Sequence, residues 1–400
     1  MIFTPVRNVA GFSFDRLIAP ISRSIFLCDY YETAPLIMHR QDPGYYADLL
    51  TLERVWEHIE TRSPSSTAIR LVKLDAPQNP RDYLTSGDRA DPVRVAAMFA
   101  DGWTISLSGM QLQISELGRL CAAAEAAFSQ PFQANIYLTP PNAQGFMPHW
   151  DTHDVFVLQI HGSKAWTLYD TKIELPLPGQ SFDDEKPPAG PVSAEFTLQA
   201  GDLLYCPRGL MHAAHSGPET SLHITFGLMG KTWSDLLLEA MSASVLSDPS
   251  LRRNLPFGFA RADFDVESAH KMCTDLLQTM AAKADFAAAF ARTRLAFVGS
   301  RIARRPGHAQ QIQALDALTD ADHAQARADL VWCISGDDET IEIDCGSSTI
   351  TLPAFTREAI IAALNGQRFL IAKLPGALDA HGKLTLVRRL IREGLLIAVA

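Results

Sequence analysis

Three residues of this sequence have the types and spacing to hold one metal ion. His149 and Asp151 stand two apart in Pro148-His-Trp-Asp151. That stretch reads as the opening of a strand, where side chains two apart share a face. His212 ends the run Gly201-Asp-Leu-Leu-Tyr-Cys-Pro-Arg-Gly-Leu-Met-His212. A strand, a turn and a strand entry there would carry it back to the same interior. Two imidazoles and one carboxylate leave three open positions on an octahedral ion, the donor set of non-haem Fe(II) oxygenases. The triplet His-x-Asp is a weak signal alone, because a chain with 12 His contains one by chance about half the time. Its place at a strand start, with a strand–turn–His unit some 60 residues on, fits a double-sheet barrel.

The surrounding pattern supplies such a barrel. From Phe132 to Met229 short apolar runs alternate with turns: Ala134–Leu138, Val155–Gln159, Ala165–Tyr169, Ala194–Leu198, Leu203–Cys206 and Ser221–Gly227. Pro140-Pro-Asn142, His161-Gly162, Pro187-Pro-Ala-Gly190, Gly201-Asp202 and Pro207-Arg-Gly209 separate them. Strands this short and this evenly spaced predict a barrel or sandwich and not a parallel βαβ sheet. Before it, residues 1 to about 130 read as mixed α/β. Strands are predicted at Ser24–Cys28 and Pro35–Met38, and helices at Leu50–Ile59 and Leu112–Phe128, the last ended by Pro131. After it, Val266–Thr293 and Ala309–Val331 predict two helical stretches, with Gly299 and Pro306-Gly307 between them. The end of the chain predicts strands at Thr340–Asp344 and Ser348–Leu352, helices at Phe355–Leu364 and Leu384–Arg392, and a closing strand from Gly394. Two helices with a small sheet form a winged-helix pattern.

The stretch from Asn135 through Pro148-His-Trp-Asp-Thr-His-Asp-Val-Phe-Val-Leu-Gln-Ile-His-Gly-Ser-Lys-Ala-Trp-Thr-Leu-Tyr169 resembles the core of the JmjC ribosomal oxygenases. These are cupin-type enzymes that hydroxylate histidyl or arginyl side chains of ribosomal proteins. Gly201–His212 and Leu222-His-Ile-Thr-Phe-Gly-Leu228 match as well. The resemblance implies an α+β chain: a double-stranded β-helix (JmjC/cupin jelly-roll) barrel, a helical dimerisation domain and a C-terminal winged helix, at 1–235, 236–332 and 333–400. It implies Fe(II) held by His149, Asp151 and His212, with 2-oxoglutarate as cosubstrate and O2 as oxidant. Lys164, thirteen residues after Asp151, matches the basic residue that pairs with the distal carboxylate of 2-oxoglutarate. Asn135 and Tyr137 match residues that line the cosubstrate pocket.

The residues themselves agree. A buried dianion needs a cation, and a lone Lys in an apolar strand is costly without an anion. The hydroxyls of Ser221 and Thr225 are further candidates for cosubstrate contacts. Of the other polar residues here, His153 is expected at the mouth or behind the ligands and Asp154 on the opposite face. His161 is expected on the surface. His215 is the alternative third ligand, and His223 belongs beside the site.

Composition narrows the rest. The chain has 400 residues, 47% apolar and 20% charged, enough for a sizeable core. A net charge of −10 excludes a protein whose main work is coating nucleic acid. Residues 335–400 carry seven Lys or Arg against eight Asp or Glu, so no net basic face marks a DNA-binding winged helix. No apolar run approaches the ~20 residues of a membrane span, and the N-terminus lacks a secretory pattern. The six scattered Cys, with no C-x-x-C pair, suit reduced thiols in cytoplasm. The expected partners are a protein or peptide substrate, foremost a ribosomal protein, and a second copy of the chain through the helical domain. Hydroxylation of a ribosomally made natural-product precursor peptide and a non-catalytic cupin-like metal sensor are the alternatives. Histone demethylation is the less favoured chemistry.

Overall fold

The computed structural model describes residues 13–180, 190–302 and 305–399. The Pro187–Gly190 turn, apart from Gly190 itself, lies outside them. The chain divides into two compact units, 1–230 and 231–400.

Among the described residues the first unit has ten strands: β1 (Leu36–Met38), β2 (Ile69–Val72), β3 (Thr104–Leu107), β4 (Phe132–Thr139), β5 (Asp154–His161), β6 (Ser163–Lys172), β7 (Val192–Gln199), β8 (Leu203–Cys206), β9 (Leu210–Ser216) and β10 (Ser221–Leu228). They form a seven-stranded sheet in the order β1-β8-β5-β10-β4-β3-β2 and a three-stranded sheet β7-β6-β9. Every pairing is antiparallel. All six barrel strands predicted from the sequence are present.

Period-two alternation gives the large sheet two different faces. Ile136, Leu138, Phe156, Leu158, Tyr205, Ile224 and Phe226 point one way, into a core with Phe14, Leu17, Phe26, Leu117 and Leu120 from the N-terminal helices. Val155, Val157, Leu204 and Cys206 point the other way, against Trp166, Leu168 and Leu198 of the small sheet. Polar residues on that second face therefore look into the space between the sheets.

The helices at Leu52–Arg62 and Ser115–Phe128 are where periodicity places them. Ser24–Cys28 is not a strand. Ser22 caps a helical turn at Arg23–Ile25, which runs on through Phe26–Tyr30. Only Phe26 of these residues is buried, while Ile25 and Leu27 stay exposed. One buried side chain per turn is a helical pattern, and an apolar run of five residues does not distinguish it from a strand.

The second unit holds three longer helices, Trp233–Ser247, Val266–Lys283 and Phe286–Gly299. The expected Val266–Thr293 stretch is broken at Ala284-Asp285, where Asp285 caps the next helix. Ala309–Val331 is not a helix. It gives a short one at His308–Gln313, and then β11 (His323–Ala326) lies between β15 (Phe369–Leu370) and β16 (Leu396–Val399). Asp322 accepts from Thr319 N–H and Oγ1 at 2.7 and 2.8 Å and turns the chain into that strand. Sheet pairing here overrides the helix propensity of an Ala-rich run.

A second sheet contains β12 (Cys333–Gly336), β13 (Thr340–Cys345) and β14 (Ser348–Pro353). The helices Arg357–Ala363 and Ala380–Arg392 complete the set predicted for the C-terminal segment. Their core reaches back to Leu315 and Leu318. Arg388 donates to the carbonyls of Asp316 and Leu318, and Arg389 pairs with Glu393. These two cations thus serve their own unit. Among the described residues no helix is long and apolar enough to cross a membrane.

Candidate metal centre

His149, Asp151 and His212 come together. One ligating atom from each lies within 4.8 Å of the other two, and among the described residues no other three His, Cys, Asp or Glu side chains do so. The strand expected to open at Pro148 opens at Asp154 instead, so strand parity is not what aligns His149 with Asp151. Backbone pairing does that. His149 N–H donates to His212 O at 3.0 Å, and His212 N–H returns to His149 O at 2.8 Å. Gly209 N–H donates to the Asp151 carbonyl at 2.9 Å. Gly209 has φ +82°, and a Cβ there would lie 1.8 Å from the Ile173 carbonyl oxygen. The turn that returns the chain to His212 therefore requires glycine.

Both imidazoles are oriented from behind. His149 Nδ1 lies 2.8 Å from Met147 O, and His212 Nδ1 lies 3.0 Å from Leu210 O. A proton on each Nδ1 leaves Nε2 as the basic nitrogen, as a metal ligand requires. His212 Nε2 is 3.7 Å from Asp151 Oδ2. Burial, with His149 adding to it against the pull of Asp151, holds His212 down to about 4. It is therefore neutral and ready to ligate near pH 7.

The cluster opens on a cavity between the two sheets. Asn135, Tyr137, His223 and Thr225 line it from the large sheet, and Lys164, Trp166 and Ala214 from the small one. Register explains the meeting: His223 lies opposite Tyr137 and Thr225 opposite Asn135, while Lys164 and Trp166 share the inward face of β6. Lys164 is 6% exposed, and Nζ donates to Thr139 Oγ1 at 3.2 Å. Among the described residues no carboxylate pairs with it. Burial alone lowers its ammonium from the ordinary 10.5 to about 7. Trp166 Nε1 and His223 Nδ1 are buried and have no hydrogen-bond partner among the described residues. Burial, with Lys164 second, pushes His223 well below the usual imidazole range. A cation and two orphaned ring nitrogens in one cavity fit an anionic, hydrogen-bonding ligand.

Not every expected residue faces this cavity in the same way. Asn135 lines it, but its Oδ1 already accepts from Gly109 N–H at 3.0 Å and Gln133 Nε2 at 3.1 Å. The Tyr137 ring stacks on His223 at 5.0 Å. Burial raises the Tyr137 phenol, and Asp151 adds to the rise. Ser221 is buried outside the cavity lining and accepts from Gln159 Nε2 at 2.9 Å. His153 lines the cavity, and its ring occupies the space that Gly227 leaves. Asp154 faces the other side, while His161 and His215 are exposed. Thr104, Thr139, Phe146, Trp166 and Cys206 also belong to the site and were not expected there. Thr139 and Trp166 were legible by parity from Tyr137 and Lys164, whereas Thr104 and Phe146 carry no local signal.

Residues 110–236 match the JmjC domain family. The chain is 32% identical over 254 residues to the "Bifunctional lysine-specific demethylase and histidyl-hydroxylase NO66" of Culex quinquefasciatus, covering 60% of this chain and 39% of that protein. It is 30% identical over 265 residues to "Ribosomal oxygenase 1" of Danio rerio, covering 63% and 48%. The chain thus spans less than half the length of these two curated relatives. In fold it is similar to Escherichia coli YcfD, with a TM-score of 0.55 at 16% identity over 94% of this chain and 98% of that one. A YcfD structure described as a ribosomal oxygenase in complex with cobalt and 2-oxoglutarate gives a TM-score of 0.51 at 16% identity over 95% and 98%. A JmjC domain therefore occupies residues 110–236, and through it this protein is a relative of the ribosomal oxygenases.

Proposed function

We propose that the protein is an Fe(II)- and 2-oxoglutarate-dependent oxygenase that hydroxylates a histidyl or arginyl side chain of a ribosomal protein. The observation that carries this reading is the placement of one buried lysine, without a carboxylate partner among the described residues, in the cavity onto which His149, Asp151 and His212 open. A metal site alone has no use for that lysine. The cobalt and 2-oxoglutarate in the YcfD complex support the same pairing of metal and cosubstrate.

Fe(II), when bound with 2-oxoglutarate and O2, supplies the oxidising power for C–H hydroxylation, with succinate and CO2 as co-products. The chain's own residues do the rest. His149 and His212 would hold the metal through their imidazole Nε2 atoms and Asp151 through a carboxylate oxygen. Lys164 neutralises the far carboxylate of the cosubstrate, with Thr139 and Thr104 linked behind it through hydroxyl contacts of 3.2 and 3.3 Å. Trp166, Val155 and Val157 keep the cavity walls apolar and exclude water.

The test is incubation of the full chain with Fe(II), 2-oxoglutarate and two peptide sets, one from ribosomal proteins and one bearing methyl-lysines. Tandem mass spectrometry reads the products. The expected result is one added oxygen on a His or Arg of a ribosomal peptide. Loss of a methyl group from lysine instead favours the demethylation in the relatives' names. Iron binding with no succinate from any peptide overturns the enzyme reading in favour of a sensor.

We further propose that the helical segment joins two copies of the chain. Its buried core among the described residues is small, Leu236, Ala240 and Ala289. Trp233, Leu238, Leu246, Phe257 and Phe290 are exposed, and an apolar surface of that kind usually finds a partner. A dimer mass is expected by sedimentation at micromolar concentration, and a monomer mass there removes the proposal. Six free thiols agree with a reducing compartment, the cytoplasm.

A further inference from the structure

Behind the metal cluster lies a group of charges that the proposed chemistry does not use. Asp154, three residues after Asp151, is 0% exposed. Its carboxylate accepts from Tyr205 Oη at 2.7 Å and lies 3.3 Å from Arg208 Nη1. The Arg208 backbone N–H also approaches it, at 3.4 Å. Arg208 stands on the turn four residues before His212, and its side chain is 11% exposed. The same Nη1 is 2.7 Å from Glu32 Oε1. Glu32 N–H donates to the Tyr205 hydroxyl oxygen at 2.9 Å. One guanidinium thus ties together the segment of Asp151, the turn of His212 and the N-terminal chain at Glu32.

Packing alone does not call for these charges. Phe26, Phe156 and Tyr205 form an aromatic cluster next to Asp154, with ring centroids 4.9 to 5.5 Å apart. An apolar residue at 154 would suit that setting, because a buried ion pair is often no more stabilising than an apolar replacement. What the pair does provide is direction, since a planar guanidinium fixes the geometry of the groups it joins.

We propose that Arg208, held by Asp154 and Glu32, is a positioning residue for the metal centre. The proposal rests on the metal reading given above. Three backbone hydrogen bonds already join the two ligand segments on the metal side: two between His149 and His212, and one from Gly209 to Asp151. Arg208 closes the opposite side, so the segments cannot pivot about those bonds and spread the donor atoms. Groups bonded directly to metal ligands typically set the metal's affinity by about 10–100-fold. Arg208 bonds instead to Asp154 and Glu32 and acts through the backbone of the ligand segments, so an effect at the low end of that range is expected.

Co(II) titration of the full chain tests this, read by the visible absorption of the bound ion and by competition with a chelator. Arg208→Met alone strands Asp154 as an unpaired buried charge and destabilises the fold, so the informative variant is the double Asp154→Asn/Arg208→Met. It is expected to keep the wild-type circular dichroism and a cooperative melt, yet to bind Co(II) at least about tenfold more weakly with an altered spectrum. Arg208→Lys, which keeps a charge on a shorter side chain but loses the planar guanidinium, is expected to retain part of the affinity. Glu32→Gln, at a side chain 33% exposed, folds in either case and is expected to weaken binding by a smaller factor than the double variant does. Wild-type Co(II) affinity and spectrum in Glu32→Gln and in the folded double variant overturn the positioning role and leave the metal assignment standing. Should the wild-type chain bind no Co(II), the metal assignment falls and the positioning role with it.

Discussion

Asp151→Ala is expected to abolish Fe(II)-dependent release of succinate from 2-oxoglutarate while the protein stays folded. Asp151 is the only carboxylate among the three convergent donors. Its loss leaves two imidazoles and removes the carboxylate that offsets the charge of a divalent cation. The fold does not depend on that side chain. It is 31% exposed, and its structural bond runs through the backbone carbonyl to Gly209, which alanine preserves. A substitution of this kind changes stability by roughly 0.5 kcal/mol or less. Succinate release and thermal melting, measured on the same preparation, separate the two effects. Wild-type succinate production by the folded variant would remove Asp151 from the ligand set.

Lys164→Met is expected to give the second large effect, with opposite signs for function and stability. Truncating one member of a buried charge pair costs about 2–5 kcal/mol of binding. The apparent requirement for 2-oxoglutarate should therefore rise roughly thirtyfold or more. An unchanged apparent affinity takes Lys164 out of the site. Without cosubstrate the lysine is a liability, because burial lowers it to about 7 from the ordinary 10.5.

The sign of its pH dependence follows. Below about pH 7 the folded and unfolded chains both carry the proton, and the penalty for the buried charge is complete. Between about 7 and 10.5 the unfolded chain binds a proton that the folded chain lacks, so stability rises with pH across that window. The rise is on the order of a few kcal/mol for this group. Lys164→Met removes that component of the slope and is more stable at neutral pH. Chemical denaturation at pH 7 and pH 9, for both proteins, measures it. A wild-type slope retained in the variant shows that other groups carry it.

Much of the site is legible from local pattern. His149, Asp151 and His212 stand out by residue type and spacing, and Lys164 stands out as a cation in an apolar strand. Asn135 and Tyr137 reach the cavity as period-two alternation on β4 requires. The same rule extended by one step finds Thr139 and Trp166. Local pattern fails where the partner is distant. Ser24–Cys28 and Ala309–Val331 have apolar content that suits more than one element. Buried surface settled the first as helix, and pairing with β15 and β16 settled part of the second as strand. Ser221 shares parity with His223 and Thr225 yet is taken up by Gln159, a contact that depends on a residue 62 positions away.

By itself the sequence singled out His149, Asp151, His212 and Lys164 and placed six strands of the barrel, because residue chemistry and alternation are local properties of the chain. It also pointed to the segments that bring His149, Asp151 and His212 together, though for a reason the fold replaces: His149 and Asp151 lie before β5 and not on it. Only the tertiary structure decided how the donors converge. Two backbone bonds between His149 and His212, a glycine turn against Ile173 and the Asp154–Arg208–Glu32 link join segments from three regions of the chain. Hydrogen-bond register and the pairing of buried charges are set by which strands meet, and no single stretch of sequence contains that information.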